Sequence, residues 1–142
     1  MTLKQQFEKV MGETVNMALA TSIGEQPNVR TVTFAYDESK SGKLFFATFK
    51  ENQKTKEFQQ NPKVACTPLS MDLEAEVQVR IFGTVKKSDL AMDKLVEMIS
   101  KKFPSGADTL ETGGEMLDIY EVCFKDAYVT VCMADAQLLT FA

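Results

Sequence analysis

At 142 residues, with 44% hydrophobic and 25% charged residues, the chain reads as one ordinary soluble globular domain spanning 1–142, large enough for a proper core and neither disordered nor membrane-spanning. The formal net charge of −4, with no basic stripe, argues against a general nucleic-acid binder. The absence of histidine closes the usual imidazole routes, from His-dependent triads to His metal ligands and proximal-His haem, so any enzyme chemistry falls to a cofactor.

The N-terminal segment MTLKQQFEKVMGE lacks the continuous apolar run of a secretory signal, which gives a cytoplasmic expectation. Thr2 with Gln5 fits a capping box, and Leu3, Phe7, Val10 and Met11 recur at helical spacing up to Gly12. Val15, Met17 and Leu19 alternate with Asn16, Ala18 and Ala20 in a first strand, which ends at the turn-forming run Ser22 to Asn28. A second strand starts at Val29 and puts Arg30, Val32, Phe34 and Tyr36 on one face. A guanidinium at the start of an apolar face needs a partner. It reads either as a strand-end arginine whose head reaches water or as a phosphate ligand, since its planar fork donates paired hydrogen bonds.

The polar run Asp37 to Lys43 predicts a hairpin loop into a third strand, Leu44 to Phe49, antiparallel to the second. That pairing brings Arg30 close to Thr48 and to the short helix that follows. Asn52 is placed to cap this helix, which begins at Gln53 and stops at Asn61 and Pro62. Lys54 then stands in a first turn where the helix dipole already disfavours a cation; a bound phosphate would reverse the penalty. The alternative is a solvated lysine beside Lys50 and Lys56.

Val64 to Leu69 is the next strand, with Pro68 marking an edge or an exit. Glu74 to Val85 is the longest strand candidate, where Gly83 signals a bulge or a close approach. Ser88 is placed to cap a helix with an apolar stripe of Met92, Leu95, Val96, Ile99 and Phe103. Pro104 to Glu115 reads as a loop, which could border a pocket or only solvent. Leu117 to Phe124, Tyr128 to Met133 and Gln137 to Phe141 complete the sheet. Cys66, Cys123 and Cys132 fall in apolar strand patterns and predict buried thiols rather than disulfides or a metal site.

Three of these segments, PNVRTVTF, the stretch Leu44 to Pro62 and VQVRIFGTV, occur in the order and spacing of the pyridoxamine 5′-phosphate oxidase-like FMN-binding split barrels, a family that the chain resembles over residues 15 to 88. The resemblance implies a mainly β fold, an antiparallel six- to seven-stranded split β-barrel with about three short α-helices. It also implies a homodimer with flavin sites at the subunit interface. Arg30 and Lys54 match the phosphate-binding positions, with Gln53 assisting; Asn52 stands where the family often has Ser. Thr31, Val32 and Thr33 match positions that present backbone to the isoalloxazine ring, Ala47 and Thr48 those that flank it. Gln78 matches a residue that reaches the flavin from the second subunit, or else it belongs to an exposed polar strand face.

The function implied is that of an FMN-binding oxidoreductase, in which the flavin carries hydride or electrons between an unknown small-molecule donor and acceptor and no side chain is a catalytic acid or base. The alternatives are a flavin-binding carrier or sensor without turnover, and a barrel with a remodelled pocket that acts through protein contacts. Pyridoxamine 5′-phosphate oxidation itself is not expected. The oxidases resembled carry Arg and His for the substrate and a Trp near the flavin in a longer C-terminal part, whereas this chain has no His and no Trp and stops at Ala142.

Overall fold

Alternating burial along the strands produces a sheet with one face turned into an aromatic and aliphatic core. The computed structural model describes residues 1–72 and 74–141. Helix α1 (Leu3–Glu13) opens on the expected capping box, in which Thr2 and Gln5 exchange side-chain-to-backbone hydrogen bonds. Next come β1 (Asn16–Ile23), β2 (Gln26–Thr33), β3 (Ala35–Tyr36), β4 (Lys43–Phe49), α2 (Gln53–Gln60), β5 (Lys63–Leu69) and β6 (Val77–Lys87). The chain continues through α3 (Met92–Ser100), α4 (Pro104–Gly113), a 3-10 turn (Gly114–Met116), β7 (Leu117–Cys123), β8 (Asp126–Val131) and β9 (Gln137–Thr140).

All pairings are antiparallel, in the order β2-β1-β5-β6-β7-β4-β3, with β8 on β6 and β9 on β8. The two ends of this ladder are consecutive pieces of chain, β2 and β3, separated only by Phe34. The sheet therefore comes back on itself through the chain rather than through hydrogen bonds, as in a split β-barrel. The second and third predicted strands meet only at Ala35 and Tyr36, opposite Phe45 and Leu44. Along Gln26–Thr33 the partner is β1 instead, joined by a turn of two residues that is shorter than the predicted Ser22 to Asn28 run.

Strand β6 changes partner along its length. Val77 to Ile81 pair with β8, and Thr84 to Lys87 with β7. Gly83 sits at the changeover, where a Cβ would lie 2.6 Å from the Cys123 carbonyl oxygen. A close backbone approach is thus the reason for this glycine. Pro68, opposite Met17, lies beyond the last β5–β6 pair, Cys66 with Ile81, where β5 has β1 as its one strand neighbour among the described residues.

The barrel core joins Met17, Leu19, Phe34, Leu44, Phe46, Val79, Ile81 and Val122 to Phe7 and Met11 of α1 and Phe58 of α2. A smaller core packs Phe45, Ala35 and Ile119 against Leu95 and Ile99 of α3 and Ala107 of α4. Helix α4 corrects the predicted loop at Pro104 to Glu115, and four α-helices stand where about three were expected. Gly106 of this helix is a packing residue: a Cβ there would lie 2.3 Å from the Phe103 ring. Ser88 does not cap α3, whose N-cap is Ala91; its hydroxyl accepts the Leu90 N–H and donates to Glu121. The three cysteines are free thiols, but only Cys66 is buried; Cys123 is half-buried and Cys132 exposed.

Candidate functional site

The site begins at the joint between β4 and α2. Asn52 caps α2 as its sequence position requires, Oδ1 accepting the Thr55 N–H at 3.1 Å, while its Nδ2 donates to the Thr48 hydroxyl. One asparagine thereby ties the end of the strand to the start of the helix. The turn between them holds Glu51 at φ 58, a left-handed conformation that costs a non-glycine residue of order 1 kcal/mol or more. At the far end of α2, Asn61 donates to the carbonyl and hydroxyl of Ser22, fixing the helix against β1.

Arg30 is paired with Leu19 across the β1–β2 ladder, so its side chain shares the inward face with Leu19 and Thr21. Its Nη1 donates to the Leu19 carbonyl at 3.2 Å and to the Thr21 hydroxyl at 2.9 Å, and Nη2 to Glu57 Oε2 at 2.5 Å. Glu57, on α2 and nearly buried, also accepts from Thr21 at 2.8 Å and from Asn28 at 3.0 Å. The hydrogen bonds from Asn28 and Thr21, with the Arg30 guanidinium beside them, hold the Glu57 carboxyl at about 2.

Lys54 lies one helical turn before Glu57 and is half-buried, with no ion pair among the described residues. Burial lowers its pKa, and Arg30 nearby lowers it further, with Glu57 opposing both. A half-buried cation beside a second cation is a donor set suited to an anion. Gln53, exposed on the first turn, lines with Gln26, Pro27, Asn28, Glu57 and Gln60 a cleft of about 430 Å³.

The fold thus gathers Arg30, Lys54 and Gln53 around one helix start, with Thr48 bonded to its cap. Thr31 is exposed, Val32 is buried in the core, and Thr33 donates to Asn16 at 2.8 Å. Among the described residues β2 is laddered to β1 alone, which leaves the backbone groups of its other edge without a strand partner. Ala47 is half-buried on β4 opposite Ile119. Gln78 is apart from these, exposed on β6 opposite Thr130.

Sequence reasoning missed Glu57, Thr21 and Asn28. Period-two alternation carries a signal for Thr21, since Met17, Leu19 and Thr21 form one inward row. Glu57 follows Lys54 by three on a helix, hence on the same face, but its pairing with Arg30 depends on how α2 lies across β1.

The sequence pattern described as pyridoxamine 5′-phosphate oxidase-like matches residues 10–136. A pyridoxine/pyridoxamine 5′-phosphate oxidase of Crocosphaera subtropica is 36% identical over 89 residues, 62% of this chain, and the alignment spans 40% of that curated relative's length. In structure the chain is similar to General Stress Protein 26 of Bacillus anthracis (TM-score 0.73, 16% identity, 99% of each chain covered). It is also similar to HutZ, the haem storage protein of Vibrio cholerae (TM-score 0.67, 14% identity, 99% of this chain and 96% of that one).

Proposed function

The chain belongs to the pyridoxamine 5′-phosphate oxidase-like family, and from that premise we propose that it binds flavin mononucleotide, with the flavin phosphate at the start of α2. The observation that carries this reading is Lys54, half-buried beside Arg30 and without an ion pair among the described residues. A phosphate ester there offsets the cost of holding the two cations together. FMN, when bound, supplies hydride and electron transfer.

The chain's own residues bind and orient. Lys54 and Gln53 meet the phosphate from the first turn of α2, and Arg30 adds the Nε–H and the Nη2 hydrogen that Glu57 leaves free. Thr31, Val32 and Thr33 offer the unladdered backbone edge of β2 to the ring, with Ala47 and Thr48 beside it. Gln78 comes from the second subunit of a homodimer. A histidine-ligated haem is closed to this chain, which has no histidine.

Two roles follow for a flavin protein of this kind. One is an oxidoreductase with a small-molecule donor and acceptor; the other is a carrier or sensor without turnover. Titrating the apo-protein with FMN tests the binding reading. Quenching of flavin fluorescence at micromolar concentration is the expected result, and its absence overturns the reading. Reduction of the bound flavin by NADH or NADPH, followed by reoxidation by an added acceptor, identifies the oxidoreductase; a flavin that neither donor reduces identifies the carrier.

A further inference from the structure

The Arg30 guanidinium is not an open receptor for a phosphate. Both hydrogens of Nη1 are engaged, by the Leu19 carbonyl and the Thr21 hydroxyl, and Nη2 is engaged by Glu57. Thr21 closes the arrangement into a ring, accepting from Arg30 at 2.9 Å and donating to Glu57 at 2.8 Å. Asn28 holds the other oxygen of the same carboxylate at 3.0 Å. Glu57 itself lines the cleft that Gln53 borders. Any anion at the start of α2 therefore meets Lys54, the partly engaged Arg30, and a carboxylate of its own sign.

We propose that Glu57 is a specificity-determining residue, which holds the Arg30, Lys54 and Glu57 group beside the start of α2 to a single net positive charge and so limits how strongly the site prefers a phosphorylated flavin to an unphosphorylated one. The inference rests on the flavin-phosphate reading above and deepens it. The physical ground is that a charge within a few ångströms of a partly buried ligand acts through a reduced dielectric and is poorly screened by salt. A carboxylate that served only to brace the helix would affect all flavins alike, because the ring and ribityl chain carry no formal charge for it to discriminate.

The test measures dissociation constants for FMN and riboflavin on the wild-type protein, Glu57→Gln, Arg30→Gln and the double variant, with thermal melts to establish folding. Glutamine keeps the shape of residue 57 and, with its oxygen toward Thr21 and Arg30, two of its three accepted hydrogen bonds, while removing its charge and the acceptor that Asn28 meets. The ratio of FMN to riboflavin affinity is expected to follow the net charge of the Arg30, Lys54 and Glu57 group. It rises about tenfold in Glu57→Gln and falls about tenfold in Arg30→Gln, a step of the order that one nearby charge produces through a reduced dielectric. In the double variant, where Lys54 alone remains charged, it returns to near the wild-type value.

A folded Glu57→Gln with an unchanged or lower ratio overturns the proposal. Should Glu57→Gln fail to fold, the double variant decides: a ratio no higher than that of Arg30→Gln overturns the proposal, and a higher one supports it. A wild-type protein that binds neither flavin overturns the flavin reading itself and the inference with it. Wild-type binding with a ratio blind to these charges overturns the inference alone.

Discussion

Lys54 and Arg30 stand near the same helix start but answer to different tests. Removing the Lys54 ammonium takes away a group with no ion pair of its own among the described residues, so Lys54→Ala should weaken FMN while leaving riboflavin and the fold nearly untouched. Charged hydrogen bonds are worth about 1.5–3 kcal/mol, which puts the loss at roughly tenfold to a hundredfold in FMN affinity, read from binding isotherms for both flavins. Arg30→Ala is different, because it leaves Glu57 buried without its cation. Breaking such a pair costs about 3–5 kcal/mol, so that variant should lose stability as well as affinity, and the two substitutions should not add for FMN. Glu57 also gives the fold an acid limit. Its folded pKa of about 2 lies below the ordinary 4.5, so its contribution is complete above about pH 4.5 and is lost as pH falls toward about 2. Denaturant midpoints across that interval should fall less steeply in Glu57→Gln than in the wild type.

At the level of elements, the backbone of β6 leaves no room at Gly83. Gly83→Ala would push a methyl against the Cys123 carbonyl at 2.6 Å and the Val122 side chain at 2.8 Å, just where β6 leaves β8 for β7. Overpacking against backbone costs about 1–3 kcal/mol, and the denaturation midpoint of the variant should fall accordingly. This contact also illustrates what a sequence can and cannot tell. The capping box at Thr2, the bounds of α2 from Asn52 to Asn61, and the inward row of Arg30, Val32 and Phe34 follow from spacing and side-chain chemistry, and the structure reproduces them. Helix α4 was hidden because Gly106, Gly113 and Gly114 look like turn residues. Gly106 lies flat against the Phe103 ring and Gly113 against Leu117, contacts set by packing that no local pattern reveals. The Arg30–Glu57 pair was hidden for the same reason. Each residue looked ordinary in its own element, and their meeting is a product of how α2 crosses β1.

On the scale of the whole molecule, the candidate site is asymmetric in its resources. The proposed phosphate end has cations, a capped helix and a nearby cleft, whereas Gln78 faces outward on β6 in the company of exposed Phe82 and Tyr128. Arg80 lies over the Tyr128 ring on this same surface. A homodimer that brings Gln78 of one subunit to the flavin of the other accounts for a residue that is otherwise remote from the cleft. Sedimentation at low concentration should give twice the chain mass, and Gln78→Ala should weaken flavin binding only in the dimer. A monomer that binds flavin tightly would remove Gln78 from the site.

The return of the sheet through Phe34 also bears on the order in which the protein is assembled. Every residue of the Arg30 cluster and of the α2 start lies between Leu19 and Glu57, and the β1–β2 hairpin that carries half of them needs only a two-residue turn. The wall that completes the barrel is much more distant along the chain, since Lys43 of β4 must find Cys123 of β7. Loop closure over such a span is entropically slow, and pairings of this kind dominate folding times. The Arg30–Glu57 cluster is therefore contained in the part of the chain synthesised first, and the β4–β7 ladder can form only after Leu117–Cys123 has emerged.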